Sequence, residues 1–288
     1  MKNLILFFIV VFTLTYCKKK DDSSSPSISQ STAPTSELSS PLFDTEYGDA
    51  YDHDDIGRNP ITILSSNHMI VSSIHYNGMI DKLQISKINM SGGLLWQKTF
   101  TDGYRYKSGQ CFETSSGNLI VIGATIASSS WVASKVFIAK LNPLTGDTIW
   151  TKKYGHNYID EGIVGYENIN ANYWIVDYSS SGSKATLLKV NSNGDSLTSI
   201  IDSSQPGSYK DVLITANKEI VLVGESPNAI SSKRPVYIAK YTNGVKNFSS
   251  DIILNNFDDV QVSDICQTVD GNFVISGTCL NNSNTRIR

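Results

Sequence analysis

Acidic residues recur at one place in a repeating pattern. Asp54 and Asp55, Asp160 and Glu161, Asp211, and Asp258 and Asp259 each lie before or at the start of a short apolar run. Two carboxylates held a fixed distance apart can divide the roles of acid and base, as glycoside hydrolysis requires, and a ring of them can hold a cation. A catalytic centre is asymmetric, however, and these acids return at matching positions. Recurrence favours a structural task, the acceptance of backbone N–H bonds from a neighbouring turn. The densest polar cluster, Asp52-His53-Asp54-Asp55, lacks the glycine and alternating oxygen ligands of a calcium loop. His68, His75 and His156 are dispersed, and Cys17, Cys111, Cys266 and Cys279 show no zinc spacing. Nucleophile elbows, phosphate loops and dinucleotide fingerprints are absent from the sequence. The sequence therefore predicts no catalytic residue, no metal ligand and no cofactor. The net charge of −3, with lysine and arginine scattered, excludes the basic stripe that a nucleic-acid partner needs.

What positions these acids is a repeat of about 50 residues. One marker is an apolar strand: Met69-Ile70-Val71, Leu119 to Gly123, Tyr173 to Val176, Ile220 to Gly224 and Phe273 to Gly277. A second apolar strand follows, with Lys87, Lys140, Lys189 or Lys240 at or near its end, and Asn89, Asn142 and Asn191 each stand two residues beyond. A polar turn comes next (Ser91-Gly92-Gly93, Thr145-Gly146-Asp147, Asn193-Gly194-Asp195, Asn243-Gly244), leading to a strand that carries Trp96, Trp150 or, degraded, Phe248. The strand that opens each unit contains Gln110 to Thr114, Ile163 to Tyr166, Val212 to Thr215 or Asp264 to Thr268. Ser116-Gly117 and Asp270-Gly271 suit tight hairpins. No useful length carries a helical period. Four short antiparallel strands per unit predict an all-β fold, a β-propeller of about five blades. Trp96, Trp150 and Trp174 read as blade-packing residues. Cys111, Cys266 and Cys279 read as unpaired small core residues, since the hairpin at Asp270-Gly271 does not set Cys266 opposite Cys279.

The repeat resembles the secreted and lipoprotein propeller repeats of Bacteroidetes-type bacteria, relatives in shape of WD40-like and quinoprotein-like propellers. The resemblance covers residues 42–288 and is clearest over Gly117 to Gly155 and Asp270 to Gly277. The third unit departs from it, with Asp177 for glycine and no tryptophan near Ser199. The resemblance implies a fold and an address but no fixed activity.

Four full units fall at about 56–100, 109–154, 162–203 and 211–256, and a fifth begins at Asp264. Leu42 to Gly48 resembles Trp150 to Gly155, the outermost strand of a blade, and Thr285 to Arg288 matches Thr186 to Lys189. The expectation is that the N-terminal segment closes the last blade, which removes an exposed edge. The competing reading is an open fragment of a larger propeller.

The first residues form an address. Lys2 and the apolar stretch Leu4 to Thr15, too short to span a bilayer, end at Leu14-Thr15-Tyr16-Cys17. This resembles a bacterial lipoprotein signal (residues 1–17) with Cys17 the acylated residue, although Tyr16 stands where a small residue is usual. Residues 18–41, Lys18-Lys19-Lys20-Asp21-Asp22 and a Ser/Pro/Thr stretch, lack the apolar residues for a core and read as a flexible tether. The lysine-acid cluster resembles a surface-export signal. The expected place is the outer membrane, held through the lipid anchor and displayed on the cell surface, the alternative being periplasm-facing; residues 42–288 are the propeller, expected to be monomeric.

A ligand would sit where the longer loops gather. Loops 74–84, 124–135 and 225–235 share one face with Tyr104, Tyr106, His156, Tyr158, Tyr209, Asp160 and Asp259, while the opposite face carries tight turns. Trp131, in a Ser-rich loop, can stack on a sugar or a partner side chain. Trp131, Tyr158, His156, Tyr106, Tyr209, Asp160 and Asp259 are thus the candidate ligand-binding residues. The resulting expectation is a non-catalytic binding or scaffold module for a glycan or protein. The alternatives are an extracellular polysaccharide hydrolase or lyase and a truncated, inactive propeller.

Overall fold

The computed structural model describes residues 53–76, 81–101, 105–126, 134–155, 160–179, 184–201, 208–226, 235–254, 259–280 and 286–287. They form five antiparallel sheets and no helix. The first sheet holds β1 (His53–Ile63), β2 (His68–Tyr76), β3 (Asp81–Asn89) and β4 (Leu94–Phe100). The second holds β5 (Arg105–Glu113), β6 (Leu119–Ile126), β7 (Ser134–Leu141) and β8 (Thr148–Tyr154). The third holds β9 (Asp160–Glu167), β10 (Tyr173–Ser179), β11 (Lys184–Val190) and β12 (Ser196–Ile201). The fourth holds β13 (Ser208–Ile214), β14 (Ile220–Glu225), β15 (Val236–Thr242) and β16 (Val245–Ile252). The last holds β17 (Asp259–Gln267), β18 (Phe273–Leu280) and the short β19 (Arg286–Ile287). In every sheet the strands lie in chain order. First strands of successive sheets pack on one another from β1 through β5, β9 and β13 to β17. These are the blades of a β-propeller, about five in number, with first strands innermost.

Burial follows that order. β6 is buried along its whole length and β14 almost so, whereas β8 and β12 are largely exposed. A middle strand is covered by a neighbouring blade on each side, so both of its faces are apolar. Blades two and three share Ile120, Ile122 and Ile138 with Tyr173, Ile175 and Leu188, and blades three and four share Trp174, Val176 and Leu187 with Ile220, Leu222 and Tyr237.

The turns explain the sequence markers. In the second hairpin the Thr114 N–H donates to the Asn118 carbonyl and the Gly117 N–H to the Thr114 carbonyl, and Gly117 takes φ +78°. The matching left-handed position is Asn67, Ala171, Lys218 or Gly271 elsewhere, which is why a search for glycine finds only two of the five hairpins. Asn89, Asn142 and Asn191 form Asx turns. The side-chain oxygen of Asn191 accepts from the N–H of Asn193 (3.0 Å) and of Asp195 (2.8 Å).

Lysine and tryptophan form a joint between blades. Lys87 and Trp96 are cross-strand partners, and Lys87 Nζ (2.9 Å) and Trp96 Nε1 (3.0 Å) both donate to the carbonyl of Pro143 in the next blade. Lys140 and Trp150 do the same to Ser192 of the third blade, at 3.3 and 3.2 Å. The third blade has Thr198 across from its lysine, and the tryptophan has moved to the lysine's other side: Trp174 of β10 pairs with Lys189, whose Nζ lies 5.4 Å from the indole ring. Trp174 then packs on Gly244 of the fourth blade, as Trp96 packs on Gly146. Asp177 stands opposite Gly162 of β9, so the glycine has changed strands and leaves room for a side chain.

Two expectations are corrected at the end of the chain. Cys279 pairs with Ile287, and at the matching place in the third blade Ser179 pairs with Lys184. Ile287 therefore stands where Lys184 stands rather than where Leu188 does, and matching Thr285 to Arg288 with Thr186 to Lys189 is out of register. All three described cysteines are free, but Cys266, across from Val274, is exposed rather than a core residue. Residues 42–48, expected to close the last blade, lie outside the described residues, as do Cys17 and the tether.

Candidate functional site

The central channel is walled by β1, β5, β9, β13 and β17, and each carries a register shift near its middle: Ile56/Ile61, Ser108/Cys111, Gly162/Val164, Tyr209/Asp211 and Val262/Asp264. A bulge twists a strand and re-aims the next side chain. Here the re-aimed residue reaches the following blade. Gln110 Oε1 accepts the Gly165 N–H at 3.1 Å, and Asp211 Oδ2 accepts the Ile265 N–H at 2.9 Å. Nearer the hairpins, Glu113 accepts from the Ser65 N–H (2.7 Å) and hydroxyl (2.9 Å), and Glu167 from the Ser115 N–H (2.5 Å). Three acids, Asp211 of the recurring set and Glu113 and Glu167 outside it, thus cap the backbone of a neighbouring blade.

One of them does more. The Ile265 N–H is shared between Asp211 Oδ2 and Asp264 Oδ1, the latter at 2.8 Å, so two carboxyl groups from adjacent inner strands converge on a single donor. Burial, together with a hydrogen bond to Asp264, pushes the Asp211 carboxyl up to about 6, against the pull of the Ile265 and Val212 N–H groups. The Asp211 carboxyl keeps its proton in mildly acidic solution. That makes it the described group best suited to donate a proton near neutral pH.

Of the residues chosen from sequence, Tyr106 is 2 % exposed and packs edge-on against Phe137 at 5.2 Å. Tyr209 is 9 % exposed and packs against Tyr237 at 5.9 Å. Both rings are core, placed there by alternation along the inner strand. The backbones of Asp160 and Asp259 begin β9 and β17, at the long-loop end of the channel. Their side chains, and Trp131, His156 and Tyr158 entirely, lie outside the described residues. The sequence reading named Asp211 among the recurring acids but missed Asp264 as its partner; the signal was present, since both stand four residues before the hairpin threonines Thr215 and Thr268.

At the opposite end, where the expectation was of tight turns without recognition surface, the channel opens into a cavity of about 940 Å³. Hairpins of the first four blades surround it. Among the described residues no group of three histidine, cysteine or carboxylate side chains is arranged to hold a metal ion.

No protein-family model matches this chain, and no curated protein matches it in sequence. Solved structures do share the fold. A GH43 β-1,3-galactosidase aligns at TM-score 0.50 and 6 % identity over 81 % of this chain and 55 % of its own, so the chain spans little more than half of that protein. An endo-arabinase from Bacteroides thetaiotaomicron aligns at TM-score 0.45 and 14 % identity, over 81 % and 92 %. A Dyadobacter fermentans protein of unknown function aligns at TM-score 0.49 and 10 % identity, over 84 % of each chain. These matches give the propeller fold and not the Bacteroidetes repeat family. The expectation of a non-catalytic binding or scaffold module is corrected by the same comparison, since the neighbour at TM-score 0.50 carries the name of a glycoside hydrolase. What the comparisons establish for this chain is the architecture, an all-β propeller of the kind on which GH43 enzymes are built.

Proposed function

We propose that this chain is a polysaccharide hydrolase whose proton donor is the Asp211–Asp264 pair. The observation that carries the reading is the convergence of the two carboxyl groups on the Ile265 N–H, with the Asp211 carboxyl raised to about 6. Glycosidic cleavage needs a proton for the leaving oxygen and a second carboxylate to activate water or attack carbon, on the order of 5–9.5 Å away. Two hydrogen-bonded carboxyl groups are too close to divide those roles and act as one acid. The names of the fold neighbours, a β-1,3-galactosidase and an endo-arabinase, suggest β-1,3-galactan and arabinan as the first substrates to try. The sequence resemblance supports membership of the Bacteroidetes-type lipoprotein repeat family, with acylation at Cys17 and an outer-membrane address, which would suit an enzyme that meets polymers outside the cell.

The test is release of reducing ends from arabinan and β-1,3-galactan by the purified full chain. Asp211→Asn should lower kcat about a hundredfold or more with KM little changed. The wild-type rate should fall as pH rises through about 6, because the donor must hold its proton. No release from either polymer, or a full rate in Asp211→Asn, would overturn the assignment.

A further inference from the structure

The last blade has a place that the other blades fill. In the first four blades a third strand lies along the outer edge of the middle strand. In the last blade β19 pairs with Cys279 and Leu280 alone, so among the described residues nothing pairs with that edge of β18 from Phe273 to Thr278. An unpaired edge holds a row of backbone donors and acceptors ready for another strand. Beside it lies an apolar cavity of about 30 Å³, lined by Val236, Ile252 and Leu254 of the fourth blade and by Val262, Ile275 and Gly277 of the last.

The complete blades specify what fits. In the second blade Gly123 stands across from Phe137, Val121 from Ala139 and Leu119 from Leu141. In the fourth, Gly224 stands across from Tyr237, Leu222 from Ala239 and Ile220 from Tyr241. All of these third-strand residues are buried against the preceding blade. A glycine leaves space that an aromatic ring across from it fills. Where the middle strand has no glycine the ring is missing too: Ser73 faces Gln84, and Asp177 faces Thr186. Gly277 matches Gly123 and Gly224, since each pairs with its inner strand at the bulge. By the same register Ile275 matches Val121 and Leu222, and Phe273 matches Leu119 and Ile220. The vacant row therefore calls for aromatic-x-Ala-x-Leu, or Tyr in the last position. It runs antiparallel to β18, with the ring over Gly277 beside the apolar cavity. The third strands of the first four blades are committed to their own sheets, so a second copy has none of them to spare. Chain that leads directly into a first strand runs in the direction of an outer strand, as β4 does before β5, and that direction is parallel to β18.

We propose that the edge of β18 from Phe273 to Thr278 is a docking site for an extended strand of a partner protein with the pattern aromatic-x-Ala-x-Leu or aromatic-x-Ala-x-Tyr. The bound segment becomes the third strand of the last blade. Main-chain hydrogen bonds hold it, and the ring over Gly277 sets its register. The site stands apart from the Asp211–Asp264 pair and does not depend on the hydrolase reading.

The probe is a fluorescent peptide with the sequence of β7 (Ser134–Leu141), titrated into the purified full chain and read by anisotropy. Changing the peptide rather than the protein leaves folding untouched. The peptide form of Phe137→Ser should bind about tenfold more weakly or worse, because the space over Gly277 is left unfilled. A peptide N-methylated at alternate residues should not bind, because its main chain cannot pair. Hydrogen exchange should slow at Phe273 to Thr278 when the unmodified peptide is bound. No binding, equal binding of the serine peptide, or binding without slower exchange at Phe273 to Thr278 would each overturn the site. Protection of those amides in the peptide-free chain would overturn the partner as occupant: protection independent of protein concentration assigns the edge to this chain itself, and protection rising with concentration assigns it to a second copy.

Discussion

A carboxyl group that keeps its proton in the folded chain makes stability depend on pH with an unusual sign. Asp211 is raised from 3.8 to about 6. The folded state therefore holds more protons than the unfolded state between those values, and its contribution is fully present below about 3.8 and lost as pH rises through about 6. The side chain is only half-buried, so solvent screening reduces the effect to something on the order of 1 kcal/mol. Melting curves of wild type and Asp211→Asn at pH 4 and pH 7 check this. The wild type should lose its advantage over the variant on going to pH 7, and a difference independent of pH would show that no proton is held. Sequence could find Asp211 but could not show this. The proton is held by burial first and by the hydrogen bond to Asp264, 53 positions along the chain, second, and the meeting of the two carboxyl groups is set by bulges in two strands. Tyr106 and Tyr209 were misread for a related reason. A tyrosine near a loop is indistinguishable in sequence from a ligand contact, and only the phase of the inner strand turns it into the core.

At the scale of strands, the repeat was legible because its markers have a mechanical task. Lysine, tryptophan and asparagine recur where the joint and the Asx turn need them, so composition at fixed offsets announced the blade. The inner-strand bulges left no such trace, since any residue can be the extra one. The glycine of the middle strand is a consequence of the bulge. A Cβ on Gly123 would stand 2.5 Å from the carbonyl oxygen of Lys107, and one on Gly277 2.3 Å from that of Gln261. Gly117, by contrast, has φ +78° and nothing within 4 Å of a built Cβ. Gly123→Ala must move backbone and should cost about 1–3 kcal/mol or more, whereas Gly117→Ala meets only the left-handed penalty of about 1–2 kcal/mol. Thermal denaturation of both variants should rank Gly123→Ala as the more damaging. The third blade shows how such a rule is broken. Asp177 replaces the glycine where β9 supplies Gly162, and Trp174 replaces the missing fourth-strand tryptophan from across the same lysine. Sequence registered two departures; the structure compensates the glycine in full and the tryptophan in packing alone, since Trp174 Nε1 is buried without a hydrogen-bond partner among the described residues.

Over the whole molecule, cover is uneven. β6 is buried throughout, but β18, its counterpart in the last blade, is half-exposed over most of its length, and its pairing with β19 covers only Cys279 and Leu280 among the described residues. Local opening should follow cover. Hydrogen exchange should find the amides of β6 and β14 protected to near the global unfolding limit and those of Phe273 to Thr278 exchanging faster; equal protection would mean that further chain covers the last blade. The joints themselves point one way. Lys87 and Trp96 reach forward to Pro143, and Lys140 and Trp150 reach forward to Ser192. Each of the first two units is thus a link with a hook that enters an eye on the next, and neither records its own ordinal number. A second copy of residues 105–154 spliced after the first would find a partner for every hook. The count of links is therefore open to gene duplication, and the bore of the channel, which that count sets, is open with it.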